Sequence, residues 1–177
     1  MKTIEVYQFS ELSEKARKQV LNDFRDINTD FDWYEHIITG WYERLDELGF
    51  KKAEISFSGF FSQGDGCSFT ASVDLEKFMN GKFEPLLKED GNFRFEKYQG
   101  YSVYSQWSFK QDNFLSSEDM DCLCKEFVDH INELQIDLSR DIYSELMKEH
   151  DWLCSDEAVQ NTIETNECYF LENGTMV

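Results

Sequence analysis

Proline, glycine and basic residues are scarce in this chain of 177 residues. One proline, Pro85, and nine glycines leave little material for long irregular loops. Lysine and arginine together number 17 against 36 aspartates and glutamates, so the formal net charge is -19 at pH 7. Because contact with nucleic-acid phosphates needs clustered basic residues, we expect no direct nucleic-acid binding of this kind. Binding to an anionic membrane surface is disfavoured for the same reason.

Long apolar runs and a cysteine framework are also missing. No stretch approaches the roughly 20 apolar residues that span a bilayer, and the N-terminal start MKTIE lacks the basic start and the apolar stretch of a signal peptide. The five cysteines are an odd number without a framework-like spacing. Reduced thiols in the cytoplasm are the simplest interpretation, so we expect a cytoplasmic protein.

Aromatic residues, in contrast, are plentiful. They make up 16% of the chain and include sixteen phenylalanines. A disordered acidic tail would be poor in such residues, so this content indicates a folded chain. Its length is that of one ordinary domain, and no repeat or linker interrupts it. We therefore predict a single domain over residues 1–177.

Hydrophobic periodicity predicts an α+β fold. Alternating apolar residues predict strands over residues 2–9, 53–60, 67–74, 92–98 and 101–110, with a further strand at 168–170. Apolar residues every three to four positions predict a helix capped by Ser10 or Ser13, and further helices over 31–48, 75–80, from Ser116 or Ser117 to about residue 150, and 156–165. The helix over 31–48 would bury a stripe and end at Gly49, and the stripe consists of Trp33, Ile37, Trp41, Leu45 and Leu48. The long helix would break between residues 151 and 155, and Gln99-Gly100 would form a turn between two strands. The order predicts an antiparallel sheet of about four to six strands, with helices packed on one face and a long C-terminal helix.

Acidic residues concentrate in the C-terminal third of the chain. Residues 112–177 hold 17 of the 36 acidic residues but only 3 of the 17 basic residues. Along the long predicted helix, seven carboxylates follow one another at a spacing of three and then four residues throughout. We call this series the acidic ridge: Glu126, Asp129, Glu133, Asp137, Asp141, Glu145 and Glu149.

The acidic ridge has two interpretations. Neighbours four residues apart rise about 6 Å along a helix, and like charges at this spacing cost a few tenths of a kcal/mol per pair. That step is of the same order as the phosphate spacing of a nucleic-acid strand, so the ridge could occupy a basic groove made for DNA or RNA. The alternative is an ordinary solvated helix face. The scarcity of compensating lysines favours the partner-binding interpretation.

A glycine-rich segment between two predicted strands is the most distinctive stretch, and we call residues 62–66 the SQGDG turn. As a functional site, it would present Ser62, Gln63 and Asp65 to a partner or ligand. It lacks the lysine end of a P-loop, and Asp65 has too few oxygen ligands nearby for calcium. The alternative is a hairpin turn whose glycines permit positive φ.

Cysteine and histidine form no specific catalytic or metal-binding pattern. Cys122 and Cys124 lie two apart on a helix and face different directions, which disfavours shared zinc ligation. His150 and Cys154 would share a face only if the helix continued through both. The carboxylates offer no specific acid–base pair. We therefore expect no catalytic residues, no metal and no cofactor.

Three stretches together resemble a family of small acidic proteins encoded by bacteriophages and prophages. They are YQFSELSEKARKQV (7–20), SGFFSQGDGCSF (58–69) and DEAVQNTIETNECYFLENG (156–174). Some proteins similar to this family are inhibitors of the RNA-guided type II CRISPR nuclease, and others are labelled antitoxins. The resemblance implies an anti-defence protein acting in the cytoplasm of a bacterial host cell, and it implies no catalytic residues.

The leading hypothesis is therefore a phage anti-CRISPR protein, an inhibitor that binds a type II nuclease complex through its acidic surface as a nucleic-acid mimic. The partner would be a basic protein or ribonucleoprotein, contacted by the acidic ridge and secondarily by the SQGDG turn. Two alternatives stay open, namely an antitoxin-like regulator of a basic toxin and a small-molecule binder or enzyme that uses the SQGDG turn. A homodimer is compatible with the sequence.

Overall fold

A mixture of helices and antiparallel strands confirms the α+β class. The computed structural model describes residues 4–78, 81–83, 93–98, 106–111 and 118–177. The strands are β1 (Tyr7–Gln8), β2 (Phe50–Ser58), β3 (Gly66–Val73), β4 (Phe93–Tyr98), β5 (Gln106–Gln111) and β6 (Tyr169–Phe170). The α-helices are α1 (Glu14–Asp23), α2 (Glu35–Leu48), α3 (Leu75–Phe78), α4 (Glu118–Leu153) and α5 (Asp156–Thr165). Short 3-10 helices cover Phe9–Glu11 and Gly81–Phe83. The long C-terminal helix is α4, with 36 residues.

The strands pair in a different way from the one predicted. Among the described residues, they form three two-stranded antiparallel sheets, β1 with β6, β2 with β3, and β4 with β5. The expectation of one sheet of four to six strands is therefore wrong for this part of the chain. Alternation of apolar residues indicates a strand with one buried face, but it carries no information on which strand edges meet. The predicted turn at Gln99-Gly100 and the predicted helix start at Ser116 or Ser117 lie outside the described residues.

Local signals placed several element ends correctly. Ser13 caps α1, because its Oγ accepts a hydrogen bond from the backbone N–H of Ala16 at 3.3 Å. Gly49 follows α2 with a φ of +100°, a left-handed conformation that suits glycine at the end of a helix. The predicted break between residues 151 and 155 is also found, since α4 ends at Leu153 and Ser155 caps α5.

Helix α2 begins later than predicted. Its buried residues Ile37, Trp41 and Leu45 follow the expected spacing. Trp33, however, lies before the helix, and its ring meets the ring of His150 edge-on at 5.7 Å. Leu48, expected in the same buried stripe, is 44% exposed. The first strand is also shorter than predicted, because the chain turns into a 3-10 helix at Phe9.

The described chain forms two compact units, and the first consists of Met1–Glu35 and Leu146–Val177. The core of this unit gathers apolar residues from α1, α5, β6 and the first 3-10 helix: Phe9, Leu12, Ala16, Val20, Val159, Ile163 and Phe170. Strand β1 joins β6 through the pairs Tyr7–Phe170 and Gln8–Tyr169. The two ends of this unit's sequence are thus held together by one small sheet and a shared core.

The second unit consists of His36–Glu145. In it, the ring of Phe50 meets those of Phe69 at 5.2 Å and Phe78 at 5.3 Å, and Phe83 meets Phe127 at 5.2 Å. Buried residues of α2 and α4 complete its apolar interior. The β2–β3 hairpin contains a register shift between Lys51 and Glu54, and Lys52 has a φ of 53° there. The prediction of a single domain over residues 1–177 stays a prediction.

None of the helices within the described ranges combines the length and the apolar character needed to cross a bilayer. Helix α4 has the length, but it carries the acidic ridge along it.

Candidate partner-binding surface

Helix α4 separates apolar from acidic side chains within the second unit. Its inner face buries Phe127, Ile131, Leu138 and Ile142. The buried polar residue Gln135 on the same face donates a hydrogen bond from Nε2 to the carbonyl oxygen of Phe69 at 2.6 Å. The outer face exposes five members of the acidic ridge: Glu126, Asp129, Glu133, Asp137 and Asp141. The helix therefore has one face built for the core and one covered with carboxylates.

The acidic ridge is not straight, because its spacing does not match the helical repeat. Each residue of an α-helix turns the side-chain direction by about 100°, so a step of four residues overshoots a full turn by about 40°. Four such steps lead from Asp129 to Glu145, which turns the ridge by about 160° around the helix. The C-terminal members are thereby carried away from the outer face.

Glu145 shows the effect of this rotation. Its Oε2 accepts a hydrogen bond from Trp41 Nε1 at 2.9 Å and lies 3.5 Å from Arg44 Nη1. The Arg44 guanidinium in turn lies over the Trp41 ring, 4.8 Å from its centroid. Glu145 is thus engaged with α2 inside its own unit. Glu149, the last member of the ridge, belongs to the first unit and is half-buried.

The exposed members of the ridge have few internal partners. Asp137 pairs with Arg140 at 3.2 Å, and both side chains are 70% exposed, so this pair contributes little stability. Among the described residues, Asp129, Glu133 and Asp141 form no ion pair with a basic side chain. These three carboxylates remain available to a partner.

The SQGDG turn is organised by the carboxylate of Asp65. Its Oδ2 accepts hydrogen bonds from the backbone N–H groups of Phe61 at 2.9 Å and Ser62 at 2.6 Å. Gly64 has a φ of +100°, which a residue with a side chain rarely adopts. Asp65 was predicted as a partner contact, and its carboxylate has this internal role. Ser62 and Gln63, predicted with it, are exposed at the turn.

A second set of contacts holds the start of this loop against α4. The Tyr143 hydroxyl donates a hydrogen bond to the carbonyl oxygen of Gly59 at 3.0 Å, and the Tyr143 ring lies 5.5 Å from that of Phe60. Burial raises the pKa of Tyr143, and the nearby Asp65 carboxylate raises it further. A side chain at Gly59 would place its Cβ 2.8 Å from Asp65 Oδ2. A side chain at this position would therefore displace the Asp65 carboxylate that holds the loop.

Phe61 is an exposed residue at this site that was not predicted from the sequence. It is 78% exposed, the largest exposed fraction among the large hydrophobic residues described. A phenylalanine directly before a polar glycine-rich turn was the available signal, since an apolar side chain there has no strand face to occupy. The structure brings Phe61, Ser62 and Gln63 together on one loop that Tyr143 of α4 anchors.

Cysteine and histidine are brought together at one place in the first unit. Cys154 Sγ lies 3.8 Å from His150 Nε2 and 4.0 Å from Asp26 Oδ1. Burial raises the pKa of Cys154, and the Asp26 carboxylate raises it further, while Arg25 opposes them. This is the opposite of the lowered pKa that an activated thiol needs. Burial likewise raises the pKa of Cys67 to about 12.

An open groove of about 770 Å³ lies between α5 and the end of α4 in the first unit. Trp152, which is 50% exposed, lines it together with Glu157 and Gln160. The buried Asn28 side chain at the groove donates to the Leu153 carbonyl oxygen and accepts from the Thr162 hydroxyl. Both bonds serve the fold of this unit. Within the described ranges, no group of three or more His, Cys, Asp or Glu side chains is arranged to hold a metal ion.

Comparison with known proteins finds one similarity. Residues 33–94 match a family described as a Domain of unknown function (DUF8835). The matched segment contains the β2–β3 hairpin and the SQGDG turn, whereas α4 and its acidic ridge lie outside it. No curated protein and no solved structure matches the chain.

Proposed function

We propose that this protein is a phage-encoded inhibitor of host defence that binds a basic, nucleic-acid-binding surface of a nuclease. The observation that carries the proposal is the outer face of α4, where Asp129, Glu133 and Asp141 are exposed and form no internal ion pair with a basic residue in the described part of the chain. These carboxylates contribute little to the stability of the fold. They attract a basic partner electrostatically when it approaches.

The resemblance to phage and prophage proteins narrows the proposal to the RNA-guided type II CRISPR nuclease. Such nucleases hold their heteroduplex in a positively charged channel and contact its backbone rather than its sequence. An acidic helix with carboxylates about 6 Å apart along its axis suits a channel of that kind. Action on this target would take place in the cytoplasm of the bacterial host cell.

The test is charge reversal of the three available carboxylates, Asp129→Lys, Glu133→Lys and Asp141→Lys together. Three exposed charge contacts of about 0.2–1 kcal/mol each correspond to a loss of roughly 3- to 150-fold in affinity, and reversal adds repulsion to that loss. The measurement is fluorescence anisotropy of target DNA with a purified type II nuclease–guide complex, titrated with wild-type or variant protein. We expect the wild type to block DNA binding and the variant to block it weakly.

A matched control variant distinguishes the effect of the acidic ridge from the effect of the overall net charge. Asp30→Lys, Glu157→Lys and Glu172→Lys change the net charge equally at exposed positions of the first unit. We expect this triple variant to inhibit within a few-fold of the wild type. If both triple variants lose inhibition equally, net charge alone acts and the ridge has no special role. If wild-type protein does not inhibit the nuclease but co-purifies with a small basic protein, the antitoxin alternative replaces the proposal.

A further inference from the structure

The first unit contains a groove that combines an aromatic ring with acidic side chains. The groove has a volume of about 770 Å³. Trp152 lines it from α4, and Glu157, Gln160 and Glu164 line it from α5. Trp152 is 50% exposed, although tryptophan side chains are highly buried on average in folded proteins. Within the described part of the chain, no basic side chain lines the groove, so it holds negative charge without a cation of its own.

Hydrogen bonds inside the unit fix the two helices that form the groove. The Asn28 side chain, which is 8% exposed, donates to the Leu153 carbonyl oxygen of α4 at 2.9 Å. It accepts a hydrogen bond from the Thr162 hydroxyl of α5 at 2.7 Å. The chain turns tightly between the helices, since the Ser155 N–H donates to the Trp152 carbonyl oxygen at 2.9 Å. The groove is therefore preorganised, which lowers the free energy spent on ordering a site when a ligand binds.

Two side chains of the groove are available to a ligand. Glu157 is exposed, and it forms no ion pair and no side-chain hydrogen bond with another residue that the structure describes. The Trp152 ring has no aromatic or cationic neighbour among the same residues. Glu164, in contrast, already accepts a hydrogen bond from Gln160 Nε2 at 2.9 Å. The available groups are thus one indole ring and one carboxylate.

The second unit contains the same two groups together with an arginine. There the Arg44 guanidinium lies 4.8 Å from the centroid of the Trp41 ring, and its Nη1 lies 3.5 Å from Glu145 Oε2. A guanidinium group suits such a pair because it is planar, weakly hydrated and always charged, so it can stack on an indole while it binds a carboxylate. The lysine ammonium is more strongly hydrated and gains less from the same contacts.

We propose that the groove of the first unit binds an arginine side chain of a partner protein. The guanidinium stacks on the Trp152 indole and pairs with the Glu157 carboxylate, which completes the combination that Trp41, Arg44 and Glu145 form within the chain. Charge complementarity selects the occupant, since carboxylates supply the only charges of the described groove. The site is separate from the acidic ridge, and the inference does not depend on the proposed nuclease target.

The first test is a titration of ¹⁵N-labelled protein with the peptide N-acetyl-Gly-Arg-Gly-amide, followed by nuclear magnetic resonance. The chain has four tryptophans, and the indole signal of Trp152 is the one that Trp152→Leu removes. We expect this signal to shift in a saturable manner with the arginine peptide and less with the corresponding lysine peptide. A peptide with citrulline, the neutral analogue of arginine, should cause no shift. No shift with arginine, or equal shifts with lysine or citrulline, would overturn the inference.

The second test measures peptide affinity in variants, from the backbone amide signals of α5. Trp152→Leu keeps an apolar side chain without a π face and should weaken binding about 2- to 30-fold. Glu157→Gln removes the charge and should weaken binding roughly 1.5- to 5-fold. The matched controls Tyr169→Leu and Glu172→Gln change an exposed aromatic and an exposed acidic residue of the same unit outside the groove. Equal losses in the controls, or no loss in the groove variants, would contradict the site.

A further comparison separates this inference from the proposed function. At about 0.15 M ionic strength, where charges act over about 8 Å, the ridge variant with Asp129, Glu133 and Asp141 changed to lysine should bind the arginine peptide like the wild type. If it loses peptide binding, the peptide follows overall charge and the groove inference is wrong. If wild-type protein binds the peptide but does not inhibit the nuclease, the proposed function is wrong and the groove inference stands. Unchanged circular dichroism spectra and thermal unfolding of Trp152→Leu exclude a folding defect.

Discussion

At the scale of single residues, the distinctive sequence of the SQGDG turn has a structural explanation. Asp65 accepts hydrogen bonds from two backbone N–H groups of its own loop, and a Cβ at Gly59 would lie 2.8 Å from the same carboxylate and displace it. An acidic residue in a conspicuous motif is therefore not automatically a contact residue. The side chain that the loop presents outward is its apolar neighbour Phe61.

The cysteines allow a residue-scale prediction about reactivity. The thiolate is the species that reacts with iodoacetamide, so a raised pKa slows the reaction at neutral pH and moves its acceleration to higher pH. We expect exposed Cys122 to react first and Cys154 more slowly, because burial and the Asp26 carboxylate raise the Cys154 pKa. Cys67, with a pKa of about 12, should react only after unfolding. Peptide mass spectrometry after labelling between about pH 7 and pH 10 measures these rates.

The same experiment tests for a catalytic thiol. His150 Nε2 lies 3.8 Å from Cys154 Sγ, a separation within reach of an ion pair if the thiol were deprotonated. Labelling of Cys154 faster than Cys122 at pH 7 would contradict the raised pKa and point to an activated nucleophile. His150→Ala is the control, since it would slow such activated labelling and leave the ordinary thiol reaction of Cys122 unchanged.

At the scale of elements, the N-terminal cap of α5 makes a stability prediction. Ser155 Oγ accepts the backbone N–H of Ala158 at 3.2 Å, and α5 supplies Val159 and Ile163 to the core of its unit. Ser155→Ala should lower the free energy of unfolding by about 1 kcal/mol, whereas Ser155→Gly should cost only a few tenths. Urea unfolding followed by circular dichroism measures both. Equal losses for the two variants would show that the cap bond is not the cause.

The geometry of helix α4 also determines which residues of the acidic ridge face outward. Six of the seven acidic residues follow one another every four residues, yet the helical repeat turns each four-residue step by about 40° beyond a full turn. Asp129 consequently lies on the outer face, while Glu145 reaches Trp41 and Arg44 and Glu149 is half-buried. The acidic surface available to a partner is therefore shorter than the acidic ridge in the sequence suggests. The proposed charge reversal changes residues in its exposed part.

At the scale of the whole molecule, the net charge of -19 should dominate how a basic partner is reached. The range of a charge in solution shrinks from about 10 Å at 0.1 M ionic strength to about 3 Å at 1 M. We expect the association rate with the nuclease–guide complex to fall steeply across this range, with a smaller change in the dissociation rate. Biolayer interferometry at several salt concentrations measures both rates.

The ridge variant provides the control for this prediction. With Asp129, Glu133 and Asp141 changed to lysine, the association rate should depend less steeply on salt than in the wild type. An association rate that is insensitive to salt in the wild type would contradict an electrostatic mechanism. A steep dependence that the ridge variant leaves unchanged would show that acidic residues elsewhere guide the encounter.

The features that could be predicted from residue order are those that short-range interactions control. Helix α1 begins after Ser13, α2 ends before Gly49 and α5 begins after Ser155, because caps act within one helical turn of the residue that provides them. The α+β class, the long helix α4 and the buried spacing of Ile37, Trp41 and Leu45 also followed from periodicity. The acidic character of the outer face of α4 could be predicted for the same reason.

Which of these elements meet depends on tertiary contacts. Strand pairing joins residues as far apart as Tyr7 and Phe170, and alternation within a strand does not encode its partner. Trp33 lies against His150 instead of continuing the stripe of α2, and Glu145 is bound to α2 although its side chain remains 49% exposed. Asp65 became a loop-holding residue because folding brought two N–H groups to its carboxylate. Each of these outcomes depends on contacts between residues distant in sequence or on the conformation of a loop. The spacing of residues along the chain predicts neither of them.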